Sequence, residues 1–134
     1  MNYNHSMGPD MKVFVVEDSA IVRERLLEMI REVDGVEIVG EADSYGTAVA
    51  GIMASQPDVA ILDISLAEGS GIDVLAHVKA RLPGLRGIML TNYTSPQHLR
   101  ASAEAGAEYF LDKSVDFERI AEILELMIAS SKES

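Results

Sequence analysis

Polar side chains that could do chemistry follow four separate apolar runs of this 134-residue sequence. Glu17 and Asp18 come directly after the first run, and Asp63 follows a second. Thr91 ends a third run, and Lys113 lies just beyond a fourth. In open α/β sheets, ligands bind beyond the carboxyl ends of the strands. If the four runs are parallel strands, then carboxylates, a hydroxyl and an ammonium group meet at one sheet edge.

The carboxylates of Glu17, Asp18 and Asp63 would repel one another at such an edge. Either a raised pKa or a bound divalent cation relieves that repulsion. All-oxygen ligands favour a hard cation, which means Mg²⁺, Mn²⁺ or Ca²⁺. The charges then balance, because the three negative charges of the carboxylates equal the three positive charges of one divalent ion and the Lys113 ammonium. A carboxylate in this setting could accept a phosphoryl group, with the cations stabilising the charge that develops.

Five apolar runs alternate with five amphipathic segments, a pattern typical of a parallel sheet flanked by helices. The first run lacks polar positions, which indicates a strand buried on both faces; the third run is predicted to be central, and the second run alternates. Strands are predicted at 13–16, 36–42, 59–62, 88–90 and 109–111. The predicted fold is therefore α/β, with an open, doubly wound parallel sheet of five strands and five helices.

Serine, proline and aspartate residues mark where helices are expected to begin. Ser19 is the predicted N-cap of the first helix, and Asp116 is the predicted N-cap of the fifth. Arg23 and Arg25 of the first helix are expected to face solvent. The fourth helix is predicted to begin at Pro96, and this thinly apolar helix is expected to move most easily. Its apolar face is predicted to consist of Leu99, Ala103 and Ala107.

Composition and charge exclude several classes of function. The formal net charge is −11, so the chain lacks a basic surface for nucleic acid, and an anionic membrane would repel it. The absence of cysteine excludes disulfides, thiolate metal sites and cysteine nucleophiles, and it fits a cytoplasmic location. No apolar run approaches the ~20 residues of a membrane span. One folded domain is expected over 11–130, after a flexible lead-in at 1–10 and before a polar tail at 131–134.

Four segments together carry a resemblance to a known family. They are VVEDSAIVRERL at 15–26, PDVAILDISLAEGSG at 57–71, IMLTNY at 88–93 and AGAEYFLDKSVDF at 105–117. From Met11 to Ser130 the chain resembles the receiver domain of two-component response regulators, in the form of the chemotaxis-type single-domain regulators. The resemblance implies a flavodoxin-like sheet with strand order 2-1-3-4-5 and an acidic site where strands one and three meet.

The resemblance assigns roles to the residues at that edge. Asp63 matches the aspartate that accepts a phosphoryl group, and Lys113 matches the lysine that pairs with this group. Glu17 and Asp18 match the acidic pair that binds Mg²⁺, with Asp18 as a direct ligand and Mn²⁺ as an alternative ion. Asp63 and the backbone carbonyl of Ser65 would complete the protein's share of the metal shell.

A hydroxyl and an aromatic side chain match the switch positions of the family. Thr91 matches the hydroxyl that turns toward the phosphoryl group, which vacates space that an aromatic side chain can fill. Phe110, three residues before Lys113, matches that aromatic position. The surface of the fourth helix, the fifth strand and the fifth helix would then change its preference for partners. Phe110 lacks the hydroxyl of the tyrosine that the family often has there, so it can respond only through packing.

Residues beside the site are expected to tune the lifetime of the phosphoryl group. Asn92 follows Thr91 where the family usually has a small residue. Its larger side chain is expected to restrict access to the phosphoryl group, so we predict slow phosphoryl turnover. Ser65 and Tyr93 occupy positions that also tune this lifetime.

The resemblance implies signalling partners and no external substrate. The phosphoryl donor would be the phosphohistidine of a sensor histidine kinase or of a phosphotransfer protein. The chain would catalyse its own phosphorylation and dephosphorylation without being a turnover enzyme. Its output would be binding of a downstream protein, or phosphorelay, as a monomer or a phosphorylation-dependent dimer. It would contact neither nucleic acid nor membrane directly.

Three other functions are alternatives. A haloacid-dehalogenase-type phosphohydrolase needs a second aspartate two residues after its nucleophile, where this chain has Ser65. A flavodoxin-like flavin carrier needs a loop rich in Ser, Thr and Gly after the first strand, where Glu17 and Asp18 would repel a phosphate. A degenerate receiver would act as a phosphorylation-independent scaffold, and the complete set of site residues argues against this function.

Overall fold

The computed structural model describes residues 8–132, which form a parallel five-stranded sheet flanked by helices. The strands are β1 (Met11–Val16), β2 (Val36–Ala42), β3 (Val59–Leu62), β4 (Arg86–Thr91) and β5 (Ala107–Asp112). The helices are α1 (Ala20–Arg31), α2 (Tyr45–Ser55), α3 (Gly71–Arg81), α4 (Pro96–Ala105) and α5 (Arg119–Lys132). The strand order is β2-β1-β3-β4-β5, so the predicted fold class and strand order are confirmed.

Two hydrophobic cores lie on opposite faces of the sheet, because successive side chains of a strand point to opposite faces. Val13 and Val15 pack with α1 and α5, whereas Phe14 and Val16 pack with α2 and α3. Every residue of β3 is buried, as expected for a central strand. A fully buried Val, Leu or Ile contributes roughly 1.5–3 kcal/mol. Burial therefore anchors the strand that ends immediately before Asp63.

Serine caps fix the starts of the helices that follow the site loops. The Ser19 hydroxyl accepts a hydrogen bond from the Val22 amide at 3.3 Å, which confirms the predicted cap of α1. The Ser70 hydroxyl accepts from the Ile72 amide at 3.1 Å at the start of α3. Each such cap contributes about 1 kcal/mol. Each of the loops after β1 and β3 therefore runs from the end of a buried strand to the capped start of a helix.

The predicted apolar face of α4 is wrong in part. The helix ends at Ala105, two residues short of Ala107, because Gly106 takes the left-handed conformation (φ 107°) that stops a helix. Ala107 therefore belongs to β5, and the Leu99 side chain is 48% exposed. Ser102 is instead the fully buried residue of α4. The only buried residue of the described helix α4 is thus a small polar one, and the expectation that this helix moves most easily stays a prediction.

The N-terminus of α5 also differs from the prediction. Asp116 does not cap this helix, because its carboxylate accepts a hydrogen bond from the Asp112 amide at 3.0 Å. A turn at 113–118 intervenes, and α5 begins only at Arg119. At its other end α5 continues past the expected boundary at Ser130, and the Lys132 ammonium lies 3.3 Å from the Asp10 carboxylate. A cation is favourable at a helix C-terminus, which supports the extension.

Parts of the expected terminal segments lie outside the described residues, namely 1–7 of the lead-in and 133–134 of the tail. The described end of the lead-in is attached to the domain, because the Asp10 amide donates a hydrogen bond to the Gly35 carbonyl at 2.8 Å. Within 8–132, no helix combines the length and the apolar character that a membrane span requires.

Candidate functional site

Glu17 is fixed at the end of β1 by both its backbone and its side chain. Its amide donates to the Ala42 carbonyl at 2.9 Å, so the end of β1 is tied to β2. Its carboxylate is buried, with one oxygen accepting from the Ser19 amide at 3.0 Å. The other oxygen lies 2.8 Å from the Lys113 ammonium. This buried acid is therefore oriented by the start of α1 and by the loop after β5.

Asp63 is the buried carboxylate at the end of β3. Its amide donates to the Val16 carbonyl at 3.0 Å, which continues the pairing of β3 with β1. Its Oδ2 atom accepts a hydrogen bond from the Lys113 ammonium at 2.7 Å. Its Oδ1 atom is buried and has no hydrogen-bond partner among the described residues. A buried charged oxygen without a partner is costly, so the site has room for a further cation or donor.

Lys113 bridges the two buried acids. Its amide donates to the Thr91 carbonyl at 2.9 Å, which extends the pairing of β4 with β5. Burial would lower the pKa of Lys113, but the hydrogen bonds to Asp63 and Glu17 and the attraction of their negative charges together outweigh burial and raise it. Burial raises the pKa of Glu17, and the hydrogen bonds from Lys113 and Ser19 offset only part of that rise. One ammonium therefore does not satisfy the acids around it.

The three carboxylates among the predicted metal ligands come together at the sheet edge. Glu17, Asp18 and Asp63 each offer a carboxylate oxygen within 4.8 Å of the other two. Glu17 and Asp63 are buried, whereas Asp18 is exposed, so the cluster opens to solvent on one side. Magnesium binds proteins through one or two carboxylates and keeps several waters. The unpartnered Oδ1 of Asp63 and the excess negative charge fit a hard divalent cation such as Mg²⁺ or Mn²⁺.

Thr91 and the two residues after it lie at the same edge, at the end of β4. Thr91 is fully buried, and its hydroxyl oxygen accepts a hydrogen bond from the Tyr93 amide at 3.1 Å. The hydroxyl is thus engaged by its own loop in this structure. Asn92 and Tyr93 follow it and are exposed.

Phe110 and Tyr109 occupy opposite faces of β5. Tyr109 packs against the core of α1 and α5, and Phe110 packs against the core of α2 and α3. Phe110 is partly buried and lines a groove beside α4 together with Leu99 and Ala103. The predicted aromatic switch position therefore lies on the α4 side of the sheet.

Ser65 lies in the loop between β3 and α3, which is fixed by backbone contacts. Ser65 forms an isolated antiparallel bridge with Ser70. The Ala67 amide donates to the Asp43 carbonyl at 3.0 Å, which ties this loop to the loop after β2. The backbone carbonyl of Ser65 is thus part of a rigid segment directly after Asp63.

Sequence reasoning missed the position of Arg23. The Arg23 guanidinium was expected to face solvent, but its side chain is only 20% exposed. It donates to the Glu17 carbonyl at 2.6 Å and to the Glu41 carboxylate at 2.9 Å. An arginine one turn after a cap is too common a pattern to have revealed this contact from the sequence.

Comparisons with known proteins agree with this geometry. The family model for the response regulator receiver domain matches residues 13–125, which include Glu17, Asp63 and Lys113. The DNA-binding transcriptional activator DevR/DosR of Mycobacterium tuberculosis is 37% identical over 105 residues, which cover 78% of this chain and 48% of that protein. The transcriptional regulatory protein PdtaR of the same organism is 30% identical over 123 residues, or 91% of this chain and 58% of that protein.

A solved structure shows the same architecture. The two-component response regulator of the LuxR family from Aurantimonas sp. superposes with a TM-score of 0.82 at 26% sequence identity, covering 90% of this chain and 86% of that chain. The chain spans about half the length of the curated relatives it matches. The family match nevertheless covers nearly the whole sheet and the acidic edge. The chain therefore belongs to the response regulator receiver domain family of two-component signalling.

Proposed function

We propose that this receiver accepts a phosphoryl group on Asp63 from the phosphohistidine of a sensor histidine kinase or of a phosphotransfer protein. One observation supports the proposal most strongly. The buried Asp63 carboxylate has one oxygen on the Lys113 ammonium and one oxygen without a partner among the described residues. A carboxylate held in this way is oriented for attack and still lacks part of its charge compensation.

The transfer needs only groups that the site and the donor supply. A carboxylate oxygen of Asp63 attacks the phosphorus as the bond from phosphorus to the histidine nitrogen breaks. The nitrogen keeps the electron pair, and the product is an acyl phosphate on Asp63. Glu17, Asp18, Asp63 and the Ser65 carbonyl would hold Mg²⁺, which, when bound, neutralises charge on the phosphoryl oxygens. Lys113 supplies a second positive charge beside the new group.

We propose that the signal leaves the site through Thr91 and Phe110. A phosphoryl group adds about two negative charges and strong acceptor oxygens. The Thr91 hydroxyl can leave the Tyr93 amide and donate to one of these oxygens, and Phe110 then repacks toward the space behind it. Phosphorylation shifts the surface of α4, β5 and α5 only by as much as it stabilises one arrangement over the other.

The proposed role is that of a signalling domain acting on itself. It catalyses its own phosphorylation and dephosphorylation and turns over no external substrate. We propose that it works beside its phosphoryl donor in the cytoplasm. Its altered surface binds a downstream protein or relays the phosphoryl group, as a monomer or a phosphorylation-dependent dimer. The Ser65 at the second position after Asp63 disfavours the phosphohydrolase alternative, because serine is no general acid at neutral pH.

Intact-mass measurement tests the proposal directly. The protein is incubated with Mg²⁺ and acetyl phosphate, in parallel with a sample containing a chelator and with the Asp63→Asn variant. We expect a single phosphoryl adduct that requires Mg²⁺ and is absent from the variant. An adduct that persists in Asp63→Asn would contradict the assignment of the acceptor. No adduct on the wild type, together with no Mg²⁺ binding, would favour the alternative in which the domain is a phosphorylation-independent scaffold.

Asn92→Ala is expected to shorten the lifetime of the phosphoryl group. The exposed Asn92 side chain stands beside Thr91 at the mouth of the site, and its removal opens a path for water and donor. We expect the dephosphorylation rate to rise roughly threefold, which corresponds to less than about 1 kcal/mol in the activation barrier. Decay of the adduct after removal of the donor measures the rate, and Thr94→Ala in the same exposed loop is the control. Equal rates in the wild type and Asn92→Ala would refute the prediction.

A further inference from the structure

We propose that Arg23 is a positioning residue that keeps the acidic loop between β1 and α1 in the shape that takes a divalent cation. The inference rests on the proposed function, because it concerns the same site. The Arg23 guanidinium donates to the Glu17 backbone carbonyl at 2.6 Å through Nη1. Its Nε donates to the Glu41 carboxylate at 2.9 Å. One side chain on α1 thus connects the end of β1 to β2.

The contacted carbonyl belongs to the peptide that joins Glu17 to Asp18. This peptide follows Glu17 and precedes Asp18, so its orientation sets where Asp18 lies relative to Glu17, whose carboxylate is held by Ser19 and Lys113. The Glu17 amide is already held by the Ala42 carbonyl of β2. Arg23 adds a second attachment to β2 through Glu41, so the peptide groups on both sides of the Glu17 Cα are tied to β2. Without Arg23, the Glu17 carbonyl loses this partner, and Asp18 is free to turn away from Glu17.

Arginine suits this position better than other residues. Its planar fork of donors can bond two acceptors at once in a fixed geometry. The Arg23 side chain is 20% exposed, and its partner Glu41 is 49% exposed. An ion pair with so much solvent contact adds little to stability by itself. The main effect of the pair is therefore expected in the geometry of the loop, not in the stability of the fold.

A positioning role and a purely electrostatic role predict opposite changes in cation affinity when Arg23 is removed. The guanidinium is a positive charge near the acidic cluster, so it repels an incoming cation. If charge alone mattered, its removal would tighten cation binding. If positioning dominates, its removal weakens cation binding despite the more negative field. The sign of the change in affinity therefore separates the two roles.

Direct binding of Mn²⁺ is the decisive measurement, because it does not depend on phosphorylation. Electron paramagnetic resonance reports the free ion during titration of the wild type and Arg23→Gln. Partners of metal ligands typically change affinity 10–100-fold when removed. We expect about tenfold weaker binding in Arg23→Gln, at the low end of that range because the pair is partly exposed. The maximal rate of phosphorylation at saturating Mg²⁺ should change much less than the Mg²⁺ concentration needed for half that rate.

Three further variants control the experiment. Arg23→Lys keeps the charge but not the fork, so its affinity should fall as well. Glu41→Gln keeps an acceptor for Nε, so its affinity should stay within about twofold of the wild type. Arg31→Gln removes an exposed guanidinium at the far end of α1, where it lies 3.7 Å from Glu24, and should leave affinity unchanged. Cooperative thermal unfolding of each variant shows that it is folded.

Each outcome bears on one of the two proposals. Weaker Mn²⁺ binding in both Arg23→Gln and Arg23→Lys, with Glu41→Gln near the wild type, supports positioning. Equal or tighter binding in Arg23→Gln overturns it and leaves the proposed function intact. A wild type that binds neither Mn²⁺ nor Mg²⁺ overturns the proposed function itself. If Arg23→Gln does not fold, Arg23→Lys decides by the same criterion.

Discussion

Lys113→Met is expected to lower the free energy of unfolding of the metal-free domain by about 3–5 kcal/mol, the range for loss of one partner of a buried ion pair. Lys113 lies 2.8 Å from the Glu17 carboxylate and 2.7 Å from that of Asp63. Both acids are almost fully buried, at 2% and 6% exposure. Methionine keeps the length and apolar stem of lysine but leaves these two carboxylates without a counter-charge.

Denaturant titration in the presence of a chelator measures the loss, and a second titration with Mg²⁺ measures its reversal. A ligand that binds only the folded state stabilises it, so Mg²⁺ should restore part of the lost stability. Lys132→Met is the matched control, because Lys132 pairs with Asp10 at 3.3 Å on the exposed end of α5. That variant should lose less than about 1 kcal/mol. Similar losses in the two variants would show that Lys113 is not the counter-charge of a buried site.

The pH dependence of the loss follows from the direction of the Glu17 pKa. Burial raises this pKa in the folded protein, so the folded state binds the proton more tightly than the unfolded chain. The stability gained from protonation is complete below the ordinary glutamate pKa and is lost as pH rises through the raised value. Removing Lys113 raises the pKa of Glu17 further. The deficit of Lys113→Met should therefore shrink as pH falls from about 7 toward 5, and a deficit that grows would contradict the mechanism.

The arrangement of the site was predictable because it depends on the ends of buried strands. Short apolar runs without polar positions favour buried strands, and a parallel order brings the residues after them to one edge. Glu17, Asp63 and Lys113 follow three such runs, and the structure brings their side chains into contact. The strand order itself came from the family resemblance, because several orders are compatible with alternating strands and helices.

The details that the sequence predicted poorly lie at the inner face and end of α4 and at the start of α5. Leu99 was assigned to the inner face of α4, but Gly106 stops the helix early and a buried Ser102 takes the inner position. Asp116 was assigned as a cap, but the Asp112 amide competes for its carboxylate. Both outcomes come from short-range features that the apolar pattern does not show, namely the Gly106 stop and a turn contact between residues four apart. The contact of Arg23 with Glu41 of β2 is instead long-range, so local propensity carries no information about it.

Gly71→Ala is expected to damage both the stability and the phosphorylation of the domain. Gly71 is the first residue of α3, and a Cβ atom there would lie 1.9 Å from the Asp63 carbonyl oxygen and 2.9 Å from its carbonyl carbon. Both atoms are backbone, so no side chain can rotate away. Either α3 or the end of β3 must shift. Overpacking typically costs 1–3 kcal/mol, and a backbone clash this close should cost about 3 kcal/mol.

The shift should reach the reaction because the displaced carbonyl belongs to Asp63, the proposed phosphoryl acceptor. A misplacement of about 1 Å at a reacting group can slow a reaction about 100-fold, and we expect a loss of that order in the phosphorylation rate with acetyl phosphate and saturating Mg²⁺. Gly46→Ala is the matched control, because a Cβ there meets nothing within 4 Å in the first turn of α2. That variant should gain about 0.5–1 kcal/mol and phosphorylate normally. A Gly71→Ala protein as stable and as reactive as Gly46→Ala would mean that the contact between α3 and the acceptor strand does not position Asp63.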